Sequence, residues 1–149
     1  MSEEIQEERW KASEGALENG LPFTLRFRED LPGESVMKRL STLMVVSWTF
    51  DSPDDRGMPS EEELDRMERF EALTDEHLVE RGVARLMTVF TGDGVREWQF
   101  YTADPEIFME KLNAALKNEP VMPLDIEAFD DENWDGYKDY TNPGLINKK

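Results

Sequence analysis

Three features of the sequence predict an α+β domain built on an antiparallel sheet. From Ser41 onward the chain reads strand, helix, strand, strand, helix, strand. The two middle strands meet at a tight glycine turn. Each helix carries its own start signal. This order is the split β-α-β arrangement of ferredoxin-like folds, with helices on one face of the sheet. An extra N-terminal strand extends that sheet, and its second face then needs a cover or a partner.

The elements follow in order. In LPFTLRFRED, from Leu21, apolar side chains alternate at Phe23, Leu25 and Phe27, which predicts a half-buried strand over Leu21–Glu29. LPGES is a turn, and Ser35–Arg39 suits a short helical turn. Ser41–Phe50 is almost continuously apolar and β-branched, as a central strand should be. Asp51–Met58 is a loop rich in Asp, Pro and Gly. Ser60 and Glu63 then make a capping box, and Glu61–Glu63 suit the positive end of a helix dipole. The helix runs Ser60–Arg81 and stops at Gly82, with Thr74-Asp75 marking either a kink or a restart.

Val83–Phe90 and Val95–Tyr101 form a hairpin around Gly92-Asp93-Gly94. Asp104 caps a second helix with Pro105 in its first turn, and Phe108, Leu112 and Ala115 share one face. A last strand is expected within Val121–Phe129, with two prolines suited to a strand start or an edge. Together these make one domain over residues 1–142, closed by an acidic aromatic segment, with 143–149 as a tail.

Composition narrows the function. The 149 residues are 38% hydrophobic and 34% charged, long enough for a real core. There are no cysteines, so disulfides, thiol nucleophiles and cysteine metal sites are excluded. The opening MSEEIQEERW is acidic and does not read as a secretory signal. No apolar run approaches the ~20 residues of a membrane span. A cytoplasmic location is expected. Net charge is −17, concentrated in residues 51–80, with 12 acidic and 3 basic side chains, and 119–139, with 8 and 1. Such a surface repels nucleic acid and anionic membranes and suits a basic protein. It also simply keeps a domain soluble.

No catalytic set emerges. His77 is the only histidine and stands on the acidic helix without a neighbouring nucleophile or a metal-ligand spacing. Glu68 and Glu71 share one side of that helix and could hold a hard cation, although a solvated face explains them better. No cofactor motif is present: Thr91-Gly92-Asp93-Gly94 lacks the ending of a phosphate loop and leads into a strand.

The segment DENWDGYKDYTN, Asp131–Asn142, comes close to a calcium loop, with Asp131, Asn133, Asp135 and Gly136 in place. It fails at its twelfth position, Asn142, which cannot supply a bidentate carboxylate. Lys138 replaces an apolar anchor and Pro143 blocks an exit helix. Read as structure, Asp130 or Asp131 caps a turn that presents Trp134, Tyr137 and Tyr140. These aromatics either dock on the domain's own sheet or bind a partner.

Several landmarks recur in a fixed order: Trp10; Gly20-Leu21-Pro22 before a strand carrying Arg26 and Arg28; Gly57-Met58-Pro59-Ser60-Glu61-Glu62; Thr91-Gly92-Asp93-Gly94-Val95-Arg96; Phe100-Tyr101; and Asp131–Tyr137. Over roughly residues 10–140 the chain resembles the bacterial family of unknown function 695. The resemblance implies a ferredoxin-like fold similar to that of the regulator of ribonuclease E activity B. By fold analogy it implies a small acidic protein that acts by binding another protein. It supplies no active site.

The resulting expectation is a non-enzymatic binding or regulatory domain, of inhibitor or immunity type, for a basic partner. Asp54, Asp55, Glu61, Glu62, Glu68 and Glu71 would steer that partner, and Trp134 and Tyr137 are candidate anchors. The rival expectations are a small-ligand binder or enzyme using surface carboxylates and His77, and a calcium-responsive tail.

Overall fold

The computed structural model describes residues 10–141. The tail expected over 143–149, the position of Asn142 and the acidic residues ahead of Trp10 lie outside them. The elements are β1 (Trp10–Ala16), β2 (Pro22–Arg28), α1 (Glu34–Arg39), β3 (Thr42–Thr49), α2 (Glu61–Thr74), β4 (Ala84–Gly92), β5 (Val95–Thr102), α3 (Pro105–Leu116), β6 (Leu124–Asp130) and α4 (Asp135–Thr141). All six strands join one antiparallel sheet in the order β1-β2-β4-β5-β3-β6. The architecture is therefore mixed α+β.

β3 is an interior strand next to the sheet edge, paired with β5 on one side and with the edge strand β6 on the other. Its alternate side chains feed two cores, because successive strand residues point to opposite faces. Met44, Val46 and Trp48 meet Met67 and Phe70 of α2 and Phe108 and Leu112 of α3. Leu43 and Val45 face the other way, toward Val36 and Met37 of α1 and toward Trp134 and Tyr137. Side chains of α2 and α3 thus join one core cluster, and side chains of α1 and α4 join the other.

The helix starts follow their local chemistry. Ser60 accepts from the Glu63 amide at 3.1 Å, and Asp104 accepts from the amides of Glu106 and Ile107. The Glu63 carboxylate takes the Trp48 indole N–H at 2.7 Å, so the cap residue also satisfies a buried ring. At Thr74-Asp75 the helix widens into a π-helical turn, Asp75–Val79, and the chain leaves at Gly82 with φ +76°. The β4–β5 turn places Asp93 and Gly94 at φ +49° and +82°, the two positive values of a type I′ hairpin.

One boundary and one strand differ from expectation. The last strand begins at Leu124, and Val121 is 91% exposed outside it. β1 was not anticipated at all: only Trp10 and Ser13 of its side chains are partly buried, so it has no apolar alternation to read. Its strand character comes from pairing with β2, from Trp10 opposite Arg28 to Ala16 opposite Pro22.

Candidate functional site

Three surfaces collect the residues of interest: an acidic ridge, a groove beside α2, and the C-terminal aromatic segment. The ridge runs from the loop before α2 into its first turn. Asp54, Asp55, Glu61 and Glu62 are all exposed. Asp54 Oδ1 accepts from Ser52 Oγ and from the Arg56 amide, which fixes the loop's local turn. Among the described residues, no ion pair engages Asp55, Glu61 or Glu62.

The groove has a volume of about 630 Å³ and is lined by Trp10, by Arg26, Arg28 and Arg96, by the carboxylates Glu68, Glu71 and Asp75, and by Thr74 with apolar neighbours. It exists because β1 and β2 widen the sheet beyond α2. Register brings its walls together. Arg26 lies opposite Val89 on β4, and Arg96 of β5 lies opposite Thr91 on β4. Arg26 Nη2 donates to Glu71 Oε1 at 2.8 Å, and the Trp98 indole N–H donates to the same oxygen at 3.0 Å. Burial alone would raise the Glu71 carboxyl, but Arg26, Trp98 and nearby Arg96 outweigh it and hold it below the usual carboxylate range. Arg28 is buried and pairs through two nitrogens with Asp30. The guanidinium groups of Arg26 and Arg28 lie 5.2 and 5.9 Å from the centre of the Trp10 ring.

Arg96 differs from its neighbours. Its Nε donates to Thr91 Oγ1 at 2.7 Å, yet no carboxylate of the described residues lies within ion-pair distance. Burial pulls its pKa below the ordinary arginine value, Arg26 adds to this, and Glu71 and Glu68 oppose it.

The carboxylates singled out in sequence therefore separate. Glu68 is exposed on the groove wall, and Glu71 is a half-buried, arginine-paired hub. His77 sits on the π-helical turn, with Nε2 3.9 Å from a Glu76 oxygen, and does not line the groove. Sequence reasoning passed over Trp10, Arg26, Arg28 and Arg96 as site residues, although all four stood among the family landmarks. One signal was available: the side of β2 opposite Phe23, Leu25 and Phe27 carries Thr24, Arg26 and Arg28.

The C-terminal segment closes on the sheet. Trp134 is fully buried, stacked on Tyr101 with centroids 3.9 Å apart and planes 7° from parallel. Its indole N–H donates to the carbonyls of Met37 and Leu40, at the end of α1. Tyr137 donates its hydroxyl to the Arg28 carbonyl, and Tyr140 donates to Glu97 at 2.6 Å. Trp134 and Tyr137, the two candidate anchors, are thus buried against the domain's own sheet. Asp131 Oδ1 accepts from the Asp135 amide; Oδ2 accepts from the Gly136 amide and the Tyr101 hydroxyl. Those are the bonds of a helix cap, and they commit both oxygens that a calcium loop would place first.

No helix among the described residues is long and apolar enough to cross a membrane. No curated protein matches the chain. The sequence pattern described as a family of unknown function, DUF695, matches residues 8–141, and the chain belongs to that family.

Proposed function

We propose that this is a cytoplasmic, non-enzymatic regulatory domain of bacterial type that binds a basic protein partner through its acidic ridge. The observation that carries the reading is the set of exposed carboxylates at Asp55, Glu61 and Glu62, without ion pairs among the described residues, in a stretch of 12 acidic and 3 basic residues. Like charges held together without counter-charges raise the local potential, and an opposing basic surface relieves it. Docking there would occlude a basic groove on the partner, as an inhibitor or immunity-type protein does.

The fold reading agrees with this proposal. The β3-α2-β4-β5-α3-β6 portion, with strands in the order β4-β5-β3-β6, supports a ferredoxin-like core extended by β1 and β2. That is the basis for likening it to the regulator of ribonuclease E activity B.

The test is retention of proteins from lysate by the immobilised chain at low and at moderate salt. A specific partner is held at low salt, weakens as salt screens the ridge, and is lost when Asp54, Asp55, Glu61 and Glu62 are all changed to their amides. If nothing is retained at low salt, or the amide variant retains the same protein, the reading is wrong. Small-ligand binding is the second reading, and the groove beside α2 favours it. Because His77 lies outside the groove, the chemistry there belongs to the arginines.

A further inference from the structure

We infer that the groove between α2 and the β1–β2 extension binds a small organic oxyanion, a carboxylate or phosphate carried on a flat apolar body, with Arg96 as its anchor. The groove's arginines are unequally paired. Arg26 is matched by Glu71, and Arg28 is matched by Asp30. Arg96 is left with a single neutral acceptor, Thr91 Oγ1, on its Nε. Its two Nη groups have no hydrogen bond among the described residues, yet the side chain is partly buried. A guanidinium fork with Nε fixed and both Nη groups uncommitted is oriented in advance for a two-oxygen acceptor.

The surroundings select the rest of the ligand. The Trp10 ring supplies a flat wall, and Leu64, Ala72 and Leu86 supply apolar lining. A volume of about 630 Å³ falls in the range of small-molecule sites. The helical side of the lining carries two further carboxylates, Asp75 and Glu68; Glu68 has no ion pair among the described residues and is close enough to influence Arg96. It therefore competes with an incoming anion for that arginine. This competition gives the proposal a second handle, because removing the Glu68 charge should strengthen binding.

The experiment uses the full chain labelled with ¹⁵N. Benzoate, inorganic phosphate and the neutral isostere benzamide are titrated separately to millimolar levels at constant ionic strength. The resonances followed are the Trp10 indole N–H and the Arg96 Nε–H, with the Trp134 indole N–H reporting an intact fold. Benzoate is expected to move the Trp10 and Arg96 signals along a saturable curve, and benzamide is not. Phosphate saturating the same signals shows that the oxyanion alone suffices; phosphate without effect shows that the flat body is required as well.

Arg96→Gln should weaken benzoate binding about tenfold or more, the loss expected for a charge-assisted pair. Arg96→Lys, which keeps the charge and loses the fork, should fall between and serves if the glutamine variant does not fold. Glu68→Gln should tighten binding. The proposal is overturned if neither anion gives a saturable shift, if benzamide binds as well as benzoate, or if the Arg96 variants bind as tightly as the parent. Retention of partner protein by the acidic ridge is read separately, so failure of one proposal leaves the other standing.

Discussion

Trp134 shows how a single residue can hold an unfavourable backbone. Its φ is +59°, in the left-handed region, where a side chain costs about 1–2 kcal/mol. Stacking on Tyr101, two carbonyl acceptors for its indole N–H and complete burial offset that cost. Trp134→Phe keeps a ring against Tyr101 but leaves the carbonyls of Met37 and Leu40 without this donor. Urea denaturation should show a loss of about 1–3 kcal/mol. A variant as stable as the parent would mean that the indole bonds contribute nothing. The sequence already showed that Trp134 and Tyr137 share a helical stripe beside a capping Asp. Which way they face depends on Tyr101 and the end of α1, residues distant in the chain, and local spacing carries no information about that. Arg96 was hidden for the same reason: that no carboxylate of the described residues comes within ion-pair distance of it is a property of four strands and α2 together.

Among the elements, those whose apolar period is complete within themselves were legible. β3 is continuously apolar because both faces are covered, and α3 carries Phe108, Leu112 and Ala115 on one stripe. β1 lacks such a period and becomes a strand only because β2 is there to pair with it. The loop before α2 adds a contact between elements that sequence does not reveal. The Gly57 carbonyl accepts from the Gly94 amide at 2.9 Å, so the loop rests on the β4–β5 turn. Gly57 has φ +77°, and a Cβ there would lie 2.8 Å from the Asp93 Cα, which cannot swing away as a side chain could. Gly20 has φ +88° but open space around it. Both Gly→Ala changes incur left-handed strain of about 1–2 kcal/mol, and only Gly57→Ala adds a backbone collision. Thermal melts should therefore rank Gly57→Ala below Gly20→Ala; the reverse order would show that the loop yields without resistance.

Across the whole molecule, all three tyrosines, Tyr101, Tyr137 and Tyr140, belong to the C-terminal closure. Burial is the main cause that raises each phenol; the acceptors Asp131 and Glu97 add to it for Tyr101 and Tyr140, and the nearby charge of Asp30 for Tyr137. A pKa raised by folding contributes stability in full below the unfolded value of about 10 and loses it as pH climbs toward the folded value. Alkaline titration should thus show no tyrosinate absorbance step near the ordinary value while the fold persists. Ionisation and unfolding should coincide at higher pH. A tyrosine that ionises near 10 with the Trp134 signal intact would contradict this. The same closure also has a timetable during synthesis. Trp134 emerges from the ribosome 33 residues after Tyr101, roughly 2–7 s later at ordinary translation rates. Through that interval β3, β4 and β5 can pair while Leu43, Met87 and Tyr101 lack the ring that seals them. A nascent chain halted before residue 134 is thus a hydrophobic sheet face awaiting its lid, and a natural client for chaperones.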